Sequence, residues 1–252
     1  MRISNMHIHS KYSWDCKMEL ETIAERLIDS GIYYAGICDH IEFDFEKEEE
    51  IMEKFKIRNF EIDELNEKYA GKIKILKSAE ISSPHLYPDK VERLSMLDFD
   101  YLMGSIHKID RKAKTAEERK IGTYNYYQEV LKMIKANQVD VIGHLDYINR
   151  YYKQDYSENS AMEEIFSLIK ENGLIIEVNT SAPAPKRTNG LYSSFPNIEK
   201  MEMYAKYKKE ITIGTDAHRP SELTYMLSEN YYITKRKGLE PIMFEKRKML
   251  KI

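Results

Sequence analysis

Ile3-Ser4-Asn5-Met6-His7-Ile8-His9 is the stretch that decides how this chain folds. It is a short apolar run that ends on two histidines separated by one residue. Residues two apart on a β-strand point to the same side. With Ile3–Ile8 as a strand, both imidazoles leave one strand end side by side, which is a chelating arrangement.

Similar runs recur at Tyr33–Cys38, Ile73–Ile81, Tyr101–Ile106, Val139–Ile142, Leu174–Val178 and Ile211–Gly214. Helical patterns separate them. Leu20, Ile23, Ala24, Leu27 and Ile28 repeat at helical spacing, with Gly31 as a stop; Tyr127, Val130, Leu131 and Ile134, then Met162, Ile165, Phe166 and Ile169, do the same. The charged stretch from Glu46 to Ala70 reads as a solvated helix. Strand–helix alternation implies parallel strands with helical crossovers. A closed or nearly closed (β/α) barrel of seven units fits best, and an open doubly wound sheet is the alternative. No linker rich in Pro, Gly or Ser divides the chain, so residues 1–252 are expected to form a single domain.

Composition narrows the function. The 252 residues carry a net charge of −3 with both signs abundant, which argues against a nucleic-acid or basic membrane surface. Two cysteines, Cys16 and Cys38, and the lack of a secretory apolar segment point to a reducing cytoplasm. No apolar stretch approaches the ~20 residues of a membrane span.

In such a barrel, chemistry belongs at the carboxyl ends of the strands, and there the polar residues fall. His7 and His9 are followed by Asp15; then come Asp39-His40, Glu80, Gly104-Ser105-Ile106-His107, Gly143-His144-Leu145-Asp146, Glu177-Val178-Asn179 and Asp216-Ala217-His218. Of the seven histidines, only His85, in a Pro-containing loop, stands apart. Chance placement explains one such histidine but not the set. Imidazole with carboxylate and no thiolate suits Zn²⁺, Mn²⁺ or Fe²⁺. The candidates outnumber the ligands of one ion, so two or three ions are expected, with Glu80 best placed to bridge. Neighbouring cations lower the pKa of a shared water, which points to hydrolysis.

The ordered set from His7-x-His9 to Asp216-Ala217-His218 resembles the polymerase-and-histidinol-phosphatase (PHP) superfamily. Met103–His107, Ile142–Tyr151 and Asn179-Thr180-Ser181 are similar to its monofunctional histidinol-phosphatase branch. The resemblance implies a distorted (β/α)7 TIM-like barrel with three divalent metal ions. His7, His9, Glu80 and Asp216 would hold one ion; Glu80, His107 and His144 the second; Asp15, His40 and His218 the third. Asp39 would orient a histidine. The implied activity is hydrolysis of a small phosphate monoester, L-histidinol phosphate, with Asp216 or His218 managing the leaving group's proton.

Arg150 is the expected phosphate clamp, because a guanidinium fork matches phosphate geometry. Arg187, with Lys186 as alternate, is expected as a second clamp, although Ser181-Ala182-Pro183-Ala184-Pro185 departs from the branch's Gly-then-Arg step. Ser105 completes the expected substrate contacts. Cys38 reads as a small buried strand residue, and the single tryptophan, Trp14, as loop packing. The rival functions are another substrate within the superfamily (a phosphotyrosine protein, a nucleotide, a nucleic acid) or a non-catalytic metal-binding regulatory barrel. Oligomeric state leaves no mark in the sequence.

Overall fold

Strand β1 (Ile3–Ile8) occupies the range the opening stretch predicts. The structure is a computed structural model that describes residues 3–152, 156–181 and 196–252. From β1 the chain runs through α1 (Leu20–Asp29), β2 (Ile32–Ile41), α2 (Glu48–Lys68), β3 (Lys74–Ser82), α3 (Pro88–Leu94), β4 (Tyr101–Ser105) and α4 (Ala116–Ala136). It continues through β5 (Val141–Ile142), α5 (Asn149–Tyr152), α6 (Asn159–Glu171), β6 (Ile175–Asn179), α7 (Ile198–Tyr204), β7 (Glu210–Gly214) and α8 (Leu227–Arg236). A hairpin of β8 (Glu240–Glu245) and β9 (Lys248–Lys251) follows.

Spatial order equals sequence order from β1 to β9. Each pair from β1–β2 to β7–β8 is parallel, and β8–β9 is antiparallel. The sheet curls until its first strand meets its seventh. There Asp216 N–H donates to His7 O at 2.8 Å, His9 N–H donates to Ala217 O at 3.0 Å, and Ile8 bridges Ala217 in parallel. The seam is therefore joined at the carboxyl end of β1, where the histidines lie. This is the distorted TIM-like barrel, not the open doubly wound sheet.

Two apolar layers sandwich the strands. Ile37, Ala79, Leu102, Ile142, Ile176 and Ile213 face the helices. Met6, Cys38, Leu76, Tyr101, Met103, Val141 and Ile175 fill the interior with Ile242, Met243 and Phe244 of β8. The Tyr101 and Phe244 rings stack at 5.3 Å. Since Tyr101, Val141 and Ile175 open their strands, the hairpin plugs the amino-terminal end. Cys38 is thus a buried strand residue, as expected.

Three local details differ from the sequence reading. Strand β2 continues to Ile41, so Asp39 and His40 lie inside it. Helix α2 is solvated on one side only: Ile51, Phe55, Arg58, Ile62 and Leu65 are buried, and its low apolar content hid that face. In β1 the register passes from Asn5↔Ala35 to Ile8↔Ile37, so one extra residue is inserted opposite Gly36. Such a bulge re-aims side chains at a strand end, here His7. Among the described residues no helix is long and apolar enough to cross a membrane.

Candidate metal centre

Glu80, inward-facing on β3 and 1% exposed, is the hub of the carboxyl-end mouth. Its Oε1 accepts from Ser105 Oγ at 2.6 Å and lies 2.8 Å from His144 Nε2 and 3.3 Å from His107 Nε2. Its Oε2 lies 3.1 Å from His40 Nδ1 and 3.5 Å from both His7 Nε2 and His9 Nε2. Asp216 Oδ1 sits 3.1 Å from His9 Nε2 and 3.6 Å from His7 Nε2. Asp15 Oδ2 approaches His218 Nε2 at 3.2 Å and His40 Nε2 at 3.6 Å. All nine residues expected as ligands thus converge. Two of them, His144 (φ 20°) and Asp216 (φ 53°), adopt left-handed backbone, a strain that persists where surrounding structure over-determines it.

The ring orientations fit a cation. His7 Nδ1 is 2.7 Å from Glu177 Oε1, and His9 Nδ1 is 3.0 Å from Ser13 Oγ. With those nitrogens donating, the two Nε2 atoms face each other at 3.0 Å, and either a proton on His7, whose imidazole Glu177 and Glu80 raise well above its usual value against burial, or a metal cation can lie between them. Lone pairs at that range repel unless something electropositive lies between them. Nitrogens about 2.0–2.1 Å from one zinc and about 3.0–3.3 Å apart subtend roughly 95–105°. The second imidazole pair, His107 Nε2 and His144 Nε2, is 3.3 Å apart. Donor atoms group as His7, His9, Glu80 and Asp216; as Glu80, His107 and His144; as His9, His40 and His218; and as His40, Glu42 and His107. The chain therefore carries a cluster of metal-binding residues.

Electrostatics agree. Burial alone would raise the Glu80 carboxyl, yet His107 and His7 hold it well below the usual range. Asp216 is likewise held down, against burial, by His7 and His9. Burial, reinforced by His40, drops the His9 imidazole to about 3. His40 rises to about 10 against burial through Asp15 and Glu80, and His107 to about 9 through Glu80 and Glu42.

Other expected residues behave differently. Arg150 reaches the mouth, donating from Nη2 to Ser181 Oγ at 2.6 Å and lying 3.7 Å from Asp216 Oδ2, with its guanidinium 4.8 Å from the Tyr147 ring centroid. Ser105, expected to touch substrate, is fully buried with its hydroxyl on Glu80. Arg187 and Lys186 fall outside the described residues. His85 pairs with Glu129 of α4 at 3.0 Å. Trp14 is 69% exposed, so it does not pack its loop; its ring stacks 6.1 Å from His40 at the mouth.

Glu42 and Arg111 escape the sequence reading, and Glu177 is named in it only as a strand-end carboxylate. Glu42, two residues beyond His40, approaches His107 Nδ1 at 3.3 Å; its signal was the two-residue spacing itself. Glu177 holds His7 through Oε1 and accepts the His144 N–H through Oε2 at 2.9 Å. Like Glu80, it belongs to a strand without a histidine. Arg111 lines the mouth and lies 4.5 Å from the Tyr151 ring centroid.

The PHP domain model matches residues 5–181 of this chain. A Thermotoga maritima protein named "Probable histidinol-phosphatase" is 26% identical over 98% of each chain. A Deinococcus radiodurans protein of the same name is 22% identical over 98% of each. The solved histidinol phosphate phosphatase of Lactococcus lactis, complexed with zinc, L-histidinol and phosphate, superposes with a TM-score of 0.81 at 19% identity, covering 99% of both chains. A match that takes in β1 to β6 with His7, His9, His40, His107 and His144, on a barrel with this seam and mouth, decides the family: the chain belongs to the PHP domain family.

Proposed function

We propose that this protein is a metal-dependent phosphomonoesterase that hydrolyses L-histidinol phosphate to L-histidinol and phosphate, a step of histidine biosynthesis, with three divalent ions held by nine ligands. The observation that carries the reading is the Glu80 carboxylate, with an imidazole set on each oxygen and the Arg150 guanidinium at the rim. Full-length relatives named as histidinol-phosphatases support the substrate. A mouth of about 230 Å³ suits an ester of amino-acid size.

His7, His9, Glu80 and Asp216 would hold one ion; Glu80, His107 and His144 a second; Asp15, His40 and His218 a third. Zinc fits the nitrogen spacing, and manganese or iron suits the same donors. Bound cations would supply Lewis acidity toward phosphoryl oxygens and lower the pKa of a water.

The residues do the rest. Arg150 receives two phosphate oxygens on its fork, fixing phosphorus for in-line attack. Water adds to phosphorus, the bond to the histidinol oxygen breaks, and that oxygen leaves with a proton. Asp216 or His218, neighbours at the mouth with His218 25% exposed, would manage the leaving oxygen's proton. Glu177 and Ser105 keep His7 and Glu80 in place.

The test is kcat/KM of metal-replete protein on a panel of phosphate esters. Histidinol phosphate should exceed phosphotyrosine and nucleotides by orders of magnitude, with about three ions per chain. Preference for another ester would reassign the substrate. No hydrolysis of any ester with Mn²⁺ or Zn²⁺ would favour a regulatory barrel.

A further inference from the structure

Helix α2 contains Arg58, which is fully buried, with its guanidinium 4.2 Å from the Phe55 ring centroid and 5.7 Å from that of Phe99. Its Nη1 lies 3.3 Å from Oδ2 of Asp39, also fully buried. A buried ion pair is a poor source of stability, because desolvation of both charges offsets their attraction, and an apolar side chain of similar volume often serves packing as well. The pair has a use further along. Asp39 Oδ1 accepts from Ser10 N–H at 2.7 Å and from Ser13 Oγ at 2.9 Å. Having donated its only proton, the Ser13 hydroxyl can only accept elsewhere. It does so from the His40 N–H at 3.0 Å and faces His9 Nδ1 at 3.0 Å. The proton in that last contact therefore sits on His9 Nδ1, and the Nε2 lone pair turns toward Glu80 and Asp216.

We propose that Arg58 is a positioning residue: acting through Asp39 and Ser13, it fixes the tautomer and ring plane of His9 so that Nε2 faces a bound cation. The inference rests on reading the cluster as a metal centre. Arg58 anchors one end through Asn59, whose Oδ1 accepts from Arg58 Nη2 at 2.8 Å and whose Nδ2 donates to Asp98 O at 2.7 Å. The line thus runs from the loop before β4, across α2 and β2, to the end of β1. It mirrors the grip of Glu177 on His7, and the two neighbouring imidazoles are each set by a buried carboxylate, directly or through one hydroxyl.

The experiment is Zn²⁺ affinity of the full-length chain by competition with a chromophoric chelator, with the visible spectrum of the Co²⁺-loaded chain and the melting temperature of the metal-free chain measured alongside. Ser13→Ala should weaken Zn²⁺ binding about 10- to 100-fold, the usual cost of losing a group that orients a ligand. It should also change the Co²⁺ spectrum, while the metal-free melting temperature stays within a few degrees. Ser13→Thr, which keeps the hydroxyl, should restore both metal readouts. Arg58→Met should weaken binding similarly, and Arg58→Lys less. In the double variant Ser13→Ala/Arg58→Met the losses should overlap instead of multiplying, because both act on one line. If Arg58→Met does not fold, Arg58→Lys takes its place in that cycle. Unchanged affinity and spectrum in Ser13→Ala, or multiplying losses in the double variant, would overturn the proposal. A wild-type chain that binds no Zn²⁺ would overturn the metal reading beneath it.

Discussion

The two ends of the barrel interior use the same strands and share almost no chemistry. Cys38 is followed two residues later by His40, Ser78 by Glu80, Met103 by Ser105 and Ile175 by Glu177. Residues two apart face the same side and are separated by about 6.6 Å along the strand. The lower member of three of these pairs belongs to the apolar layer that β8 plugs, and each upper member belongs to the polar mouth or touches it. A dry, close-packed layer directly beneath the cluster leaves its ligands little room to shift. Rigidity and reactivity here are one strand period apart, so substitutions at the two levels should separate stability from catalysis.

The sharpest break is Glu80→Ala. It removes the carboxylate whose two oxygens each meet one imidazole set and leaves those sets facing one another. Hydrolysis should fall by roughly 10³-fold or more, above the 10- to 100-fold typical of residues that merely orient a ligand. Metal content per chain by elemental analysis should fall with it. Full metal and full rate in this variant would remove Glu80 from its bridging role. Next is Gly214→Ala, at the junction of the two levels. An added methyl would overlap His7 Cβ and Glu177 Oε1, and its third-nearest atom, His7 N, is at 3.0 Å. Overpacking costs about 1–3 kcal/mol. Displacing His7 should appear as about 10- to 100-fold weaker metal affinity, measured by chelator competition.

Phe244→Ala probes the other level. Its ring lies on Tyr101 at the plugged end, and truncating a buried phenylalanine costs about 3–5 kcal/mol. Denaturant unfolding should show that loss. At a temperature where the variant remains folded, kcat/KM should stay within about twofold of wild type. A large drop in rate would mean that the apolar layer tunes the mouth and does not simply support it.

Legibility follows the same division. The mouth could be read because histidine has no packing preference that would place it at one strand end after another, so each instance reinforced the next. The outward faces of β1 to β7 could be read because parallel strands buried on both sides are continuous apolar runs. The plug could not. Glu240-Pro-Ile-Met-Phe-Glu245 is short and flanked by charge, and its partner, Lys248–Lys251, is exposed throughout. Nothing in its pattern says that it turns back under a barrel. Arg58 is hidden for a related reason, since a charge run carries no sign of burial, whereas Glu177 can be placed at its strand end but not given its two histidine partners. For Ser105 the sequence gives a strand end but not the bond its hydroxyl makes to Glu80. The bulge that turns His7 inward is likewise a matter of pairing between strands, set by the neighbour and not by β1 alone.

The smallest expected effect is a pH dependence that reverses sign with metal. In the metal-free chain His40 and His107 have pKa values raised to about 10 and about 9. A raised imidazole pKa stabilises the fold fully below its unfolded value near 6.5, and that contribution is lost as pH rises through the folded value. His9, lowered to about 3, acts in the opposite sense: its unfolded form binds a proton that the folded form refuses, so stability rises with pH between about 3 and 6.5. The melting temperature of the metal-free chain should therefore peak at mid-range pH and decline from about 6.5 toward 10. Loading reverses that decline. Imidazoles must shed protons to hold a cation, so apparent Zn²⁺ affinity should rise over the same interval, and binding near pH 7 should release protons, measurable by calorimetry in buffers of different ionisation enthalpy. The gap between loaded and metal-free melting temperatures should widen from pH 6.5 to 9. Phe244→Ala, which touches only the apolar level, should lower both curves in parallel and leave the gap intact. A gap constant with pH in wild type would mean that the imidazoles at the mouth are not where the metal binds.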